Sequence, residues 1–318
     1  MQTMKYIDTH AHLWSQEYLE KLEALGSPGT EVAKGIKAGV SAEDLDARFK
    51  MMDEAEVSLQ VISATPQSPQ WGTQEEAEES AAMINELYAS LVNQYPDRFL
   101  AYGAVSLPYV DLAISQAEAL LKRQEFIGIA VPTLIKNEIS IGDRRFEPFF
   151  EAMNKAQAVI YIHPTGCGAN SPMINDFELE WVVGAPIESM LAALQLLKAD
   201  IPSKYPNIKF HLSHLGGALP FLMQRIEDNY TDWDAFNESP LETLKRQFWF
   251  DTANFHQPSL INSVSTFGVE KFMLGSDFPY FQDDKYTRAV TYIKESGLDA
   301  KGIDGILQHN ALTLYQVH

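Results

Sequence analysis

His10 and His12 flank a single residue near the start of the chain, two positions after Asp8. In an extended strand, side chains two apart lie on one face, so Asp8, His10 and His12 are expected to point the same way. A pair of imidazoles on one face suits a divalent metal. In a chain with eight histidines, His-x-His also arises by chance and then reads as a hydrogen-bonded interior pair. More telling is that His163, His214 and Asp277 each close a short apolar run. If those runs are strands of one barrel, their C-terminal ends ring a single mouth, and residues far apart in sequence converge there. Three imidazoles and one carboxylate from this set would hold Zn²⁺ or a similar borderline ion and leave a position for water.

The elements that must position these residues recur in a regular rhythm. Eight β-rich runs occur at Lys5–His12, Val57–Ala64, Phe99–Val105, Gly128–Pro132, Val159–His163, Ile208–His214, Phe248–Thr252 and Phe272–Asp277. Amphipathic stretches long enough for crossover helices lie between them, as at Glu75–Gln94, Leu112–Lys122, Phe146–Gln157, Ile187–Leu197, Leu219–Asn229 and Asp283–Glu295. The pattern predicts an α/β fold, a (β/α)8 TIM barrel; an open doubly wound sheet is the alternative that the count of eight disfavours. The excess over about 250 residues is expected in insertions after strands 1 and 5. These are Leu13–Val40 and Pro164–Pro186, both rich in turn residues and both placed to cover the mouth. No linker, low-complexity tract or repeat divides the chain, so residues 1–318 are read as a single domain.

Four segments carry a resemblance that spans nearly the whole chain: Asp8-Thr9-His10-Ala11-His12, Ile162-His163-Pro164-Thr165, Ser213-His214-Leu215-Gly216-Gly217 and Gly275-Ser276-Asp277-Phe278-Pro279. On these the sequence resembles the amidohydrolase-related (amidohydrolase 2) family, in the branch of aminocarboxymuconate semialdehyde decarboxylase and related aromatic acid decarboxylases. The resemblance implies that His10, His12, His163 and Asp277 hold the metal and that His214 is the acid/base group beside it. His214 and Asp277 are thus the catalytic pair. One ion is expected, Zn²⁺ with Mn²⁺ as the alternative. The fourth run, Gly128-Ile129-Ala130-Val131-Pro132-Thr133, lacks the Lys or Glu that bridges two metals in binuclear relatives, and Lys136 lies too far past it.

Other residues are weighed against the same frame. His211, three before His214, is expected to face the helices as a core residue, since odd spacing reverses the face. Cys167 reads as an inert thiol, Asp251 as a support for the site, and His256, His309 and His318 as residues without function there. A carboxylated substrate needs a cation. Arg225, eleven residues after His214, matches the spacing at which decarboxylases of the family carry an arginine that enters the neighbouring subunit's site, which implies a homodimer. Arg48 matches a substrate-side arginine loosely and reads equally as a surface ion pair among Glu43, Asp44 and Asp46. Trp14, Trp181 and Phe278 are candidates for an aromatic pocket.

The expected activity is metal-dependent, non-oxidative decarboxylation of a small unsaturated or aromatic carboxylic acid. Hydrolysis of a lactone, ester or amide on the same ligands is the alternative, and hydration of a double bond or a barrel without turnover stand behind it. Composition narrows the partners. With 24 Lys+Arg against 43 Asp+Glu the net charge is −19, and no basic run occurs, which argues against nucleic acid and anionic membranes. One cysteine cannot form an intrachain disulfide, so a reducing, cytoplasmic setting is expected. Charged and polar residues through Met1–His12 leave no apolar segment for a secretory signal, and Ala156–Asn175 is too interrupted to span a bilayer.

Overall fold

The computed structural model describes residues 5–36 and 39–316. Its eight main strands are β1 (Tyr6–His12), β2 (Val57–Ser63), β3 (Phe99–Ala104), β4 (Phe126–Pro132), β5 (Val159–His163), β6 (Lys209–Leu212), β7 (Phe248–Asp251) and β8 (Phe272–Met273). Each pairs in parallel with the next. The ring closes where the segment after β8 meets β1: Thr9 N donates to Leu274 O at 2.8 Å, Asp277 N to His10 O at 2.9 Å and His12 N to Phe278 O at 2.7 Å. This is a TIM barrel. Strands buried on both faces explain why the runs read as continuous apolar segments rather than alternating ones.

Helices fill the connections as the 3.6-residue pattern predicts. The longest, Gln74–Gln94, starts at a capping box in which Thr73 and Glu76 satisfy each other's backbone N–H groups, and it buries Ala77, Ala81, Ile84, Tyr88 and Leu91 along one stripe. A second apolar cluster includes Ile7, Leu59, Val61, Tyr102, Tyr161 and Met273, and Ala311 and Leu314 of the last helix, Asn310–Tyr315, join it. It fills the barrel interior beneath the mouth, so the lumen is a packed core and not a channel.

Both insertions are present. The stretch after β1 carries helices Gln16–Ala24 and Thr30–Gly35 before the Ala42–Glu54 helix; Lys37 and Ala38, within the first insertion, and His318 lie outside the described residues. The stretch after β5 is anchored by buried Glu188, which accepts from Thr165 N at 2.7 Å and from Thr133 Oγ1 at 2.8 Å. Two strands are shorter than the apolar runs imply. β6 stops at Leu212 and β8 at Met273, because the chain then leaves the ladder and passes through left-handed backbone at His214 (φ 58°) and Asp277 (φ 56°). Among the described residues no helix is long and apolar enough to cross a membrane.

Candidate metal centre

The mouth of the barrel gathers His10, His12, His163 and Asp277. One donor atom from each lies within 4.8 Å of all the others, and all four residues are buried. Hydrogen bonds at the far side of each ring set the tautomers. His10 Nδ1 donates to Asp251 Oδ2 at 2.9 Å, and His163 Nδ1 to Pro164 O at 2.8 Å. His12 Nδ1 is hydrogen-bonded to Ser63 Oγ at 3.1 Å, which in turn meets Thr65 Oγ1 at 2.9 Å. The Nε2 atoms of all three rings therefore face the common point, and His10 must give up its Nε2 proton before it can ligate there. Asp277 Oδ1 lies 3.2 Å from both His10 Nε2 and His12 Nε2.

Two observations test whether a divalent ion fits. His163 Nε2 is buried without any hydrogen-bond partner, an arrangement that is costly unless something else satisfies it. Three nitrogens and one carboxylate oxygen also form a donor set of the kind that zinc and manganese accept. Electrostatics agrees. Burial, with neighbouring imidazoles, lowers His12 to about 4 and holds His163 well below the usual histidine range, so both are neutral with free lone pairs at pH 7. Burial also opposes charge on His10, but the carboxylates of Asp251 and Asp277 outweigh it and raise His10 to about 10. Burial likewise opposes charge on those carboxylates, and the histidines nonetheless hold both well below the usual carboxylate range.

Asp251, at the end of β7, organises the centre from below. Its Oδ1 accepts from the backbone N–H of His214 (3.0 Å) and of Ala253 (3.1 Å), and its Oδ2 from His10, with His211 Nε2 at 3.5 Å. Gly275 is needed here, because a Cβ at that position would stand 2.8 Å from Asp251 Cβ and 3.0 Å from His10 Cβ. His214 sits in the turn after β6, beside the ligand cluster rather than in it: its Nε2 is 3.6 Å from Asp277 Oδ2, and its Nδ1 is buried without a partner. Its positive φ is costly for a non-glycine residue, a kind of strain that concentrates at functional sites.

Four sequence expectations need correction. Asp8 does not share a face with His10 and His12. The β1–β2 register slips between Asp8 and Ala11, and the Asp8 carboxylate instead accepts from Gln60 Nε2 (2.9 Å), Ser276 Oγ (2.6 Å) and Tyr286 OH (3.2 Å). His211 does not face the helices; it packs under the mouth against Tyr161 at 4.6 Å and bonds Tyr102 OH at 2.8 Å. The parity argument failed because His214 lies beyond the strand end. Arg48 does not line the substrate pocket and is not a surface residue. It shares the buried face of its helix with Leu45 and Met52, donates to His12 O (2.8 Å) and Gln60 Oε1 (3.1 Å), and is 1% exposed. Phe278 also turns away from the pocket, with its ring 4.3 Å from the Arg48 guanidinium.

A pocket of about 400 Å³ opens above the centre, lined among others by His163, His214, Asp277, Trp181, Tyr280 and Arg288. Trp181 stacks on Tyr280 with ring centroids 5.8 Å apart, and Tyr280 meets His12 edge-on at 5.8 Å. Trp14 stacks on His12 behind the ligands, its Nε1 donating to Ala64 O at 2.7 Å. Arg225 is exposed on the Leu219–Trp233 helix and does not line this pocket. The Cys167 thiol is pushed up by burial and by Glu188, and lies outside the ligand cluster. Lys136 Nζ is 3.4 Å from Gly72 O and His256 bonds Ser259, so neither joins the centre. Sequence reasoning missed Tyr280 and Arg288, which lie three and eleven residues after Asp277 on a loop and a helix whose direction only the fold reveals.

The amidohydrolase family profile matches residues 7–317. The chain belongs to the amidohydrolase family. It is an enzyme of that superfamily, as its relatives are. It is 27% identical over 74% of its length, and 67% of the relative's, to a 2-amino-3-carboxymuconate-6-semialdehyde decarboxylase of Dictyostelium discoideum. It is 26% identical to a gamma-resorcylate decarboxylase of Polaromonas sp. over 86% of this chain and 87% of the other. The fold superimposes on 2,6-dihydroxybenzoate decarboxylase complexed with 2,6-dihydroxybenzoate with a TM-score of 0.86, at 20% identity, covering 99% and 100% of the two chains. It also matches a dihydroxybenzoic acid decarboxylase from Polaromonas sp. JS666 with bound manganese and 2-nitroresorcinol, with a TM-score of 0.85, at 20% identity, covering 98% and 97%.

Proposed function

We propose that this amidohydrolase is a non-oxidative decarboxylase of a small aromatic or unsaturated carboxylic acid, working with one divalent ion per chain. The observation that carries the reading is the convergence of three imidazole Nε2 atoms and the Asp277 carboxylate at the floor of a pocket beside His214. The relatives, decarboxylases of carboxymuconate and hydroxybenzoate acids, support it. His10, His12, His163 and Asp277 would hold the ion, zinc or manganese, which when bound supplies Lewis acidity to a substrate oxygen.

The protein's own part is positioning and proton movement. Trp181 and Tyr280 offer aromatic faces to a planar acid. The step breaks the bond between the ring or alkene carbon and the carboxylate carbon, releases carbon dioxide, and leaves an electron pair on carbon that a proton must fill. His214, which lines the pocket with its Nε2 3.6 Å from Asp277 Oδ2, delivers that proton. The whole chain acts as a single domain in a reducing, cytoplasmic setting. It acts as a homodimer, with Arg225 of each subunit reaching the other's site; exposed Phe221 and Trp233 on the same helix supply an apolar surface for such an interface. Metal analysis followed by a carbon dioxide release assay on hydroxybenzoates and muconate-type acids tests the reading. Metal-dependent release supports it; hydrolysis of a lactone or ester without carbon dioxide release from any acid would overturn it.

A further inference from the structure

Among the eight arginines, five are held by protein partners: Arg48 by Gln60 and His12 O, Arg98 by Asp53, Arg123 by Glu86 and Glu125, Arg145 by Asp143, and Arg246 by Glu238. Arg288 is not. Among the described residues no carboxylate lies within 4 Å of its guanidinium, although Asp284 stands one helical turn earlier, where an ion pair would ordinarily form in so acidic a chain. The guanidinium instead lies over the Phe255 ring, 5.3 Å from its centroid, and Phe255 is itself buttressed edge-on by Phe281 at 4.9 Å and Tyr292 at 6.0 Å. Arg288, Phe255 and Phe281 line the same pocket as His163, His214 and Asp277.

We propose that Arg288 is a specificity-determining residue that selects substrates carrying a second anionic group, remote from the carboxylate that is lost. The inference rests on reading this pocket as a site for carboxylic acids. The pocket is lined both by metal-ligating and proton-transferring groups, His163, Asp277 and His214, and by a cation with no carboxylate within 4 Å among the described residues. The flat faces of Trp181 and Tyr280 line the same pocket. A planar acid whose reacting carboxylate meets the first set of groups can turn a second anionic substituent to the cation in the same pocket. The Arg288 guanidinium is exposed at the pocket's edge, and lying against an aromatic ring it presents its N–H donors in a plane suited to a carboxylate.

The test is equilibrium binding to the zinc- or manganese-loaded enzyme by calorimetry, comparing isophthalate with its monoamide, which nearly matches it in shape but lacks the second charge. Wild type should bind isophthalate about tenfold or more tightly than the monoamide, the usual worth of one charge-assisted contact near solvent. Arg288→Gln should abolish the preference by weakening isophthalate alone, and Arg288→Lys should restore part of it. Equal binding of the two probes by wild type, an unchanged preference in Arg288→Gln, or no binding of either probe would overturn the proposal. Because the readout is binding, an enzyme that shows the preference but releases no carbon dioxide from any acid would refute the decarboxylase reading and leave the role of Arg288 standing.

Discussion

Asp251→Asn is the substitution that isolates how the centre is held. Oδ1 of Asp251 accepts two backbone N–H groups, from His214 and Ala253, and an asparagine amide oxygen can keep both. Oδ2 accepts from His10 Nδ1 at 2.9 Å, and there the variant places an NH₂ group, which donates. His10 must then present a lone pair at Nδ1 and carry its proton on Nε2, the atom that faces the other ligands. Losing such a supporting hydrogen bond costs about 10–100-fold in metal affinity, or about 1.4–2.7 kcal/mol. The fold should survive, because the two backbone contacts remain. Asp251→Ala would instead orphan three buried donors, at about 1–3 kcal/mol each, and destabilise the barrel. The assay is competition with a chelator for zinc or manganese, with circular dichroism melting alongside. Metal affinity within about twofold of wild type in a folded Asp251→Asn protein would refute the argument, since 10–100-fold is the expected loss.

Other consequences follow from the same geometry. His163→Ala should lose metal and activity while the barrel stays folded, since its Nε2 has no protein partner to lose; full metal occupancy would contradict this. His214→Ala should keep its metal and lose about 10²–10⁴ in rate, as for a general acid, and loss of metal would make His214 a ligand. Metal uptake by the metal-free protein near pH 7.5 should release about one proton, because His10, raised to about 10, is protonated there, whereas His12, lowered to about 4, is already neutral. Affinity should accordingly rise with pH from 6.5 toward 10, and calorimetry in buffers of different ionisation enthalpy showing no proton release would count against it. Inactive Arg225→Ala and His214→Ala chains should regain about a quarter or more of wild-type activity when co-assembled, because one site of a mixed dimer is then intact; no recovery despite subunit exchange would confine Arg225 to its own chain or surface.

The barrel and the gathering of strand-end polar residues at its mouth were legible in the sequence because both follow from patterns that survive folding, apolar runs eight times over with a polar residue at the C-terminal end of several; the choice of His10, His12, His163 and Asp277 over His214 came from the family resemblance. What was illegible depends on where a strand stops. The register slip within β1 sends Asp8 outward and keeps His10 inward, and no residue type between them announces it. His211 was misplaced because the alternation was carried two residues beyond the end of β6. Arg48 looked exposed among acidic neighbours, yet the helical stripe it shares with Leu45 and Met52 was the better guide. Arg288 was invisible for a different reason: nothing local to a helix says that its face looks into a pocket built by other segments.

The proposed centre is one ion meeting His10, His12, His163 and Asp277. Anomalous X-ray diffraction from crystals of the metal-loaded protein, recorded at the absorption edge of the bound metal, measures that directly. A single peak per chain is predicted, bonded to the three Nε2 atoms and an Asp277 oxygen at about 2.0–2.2 Å for zinc, with His214 outside bonding distance. A second peak of comparable strength, a peak that His214 ligates in place of Asp277, or no peak between these four residues would contradict it.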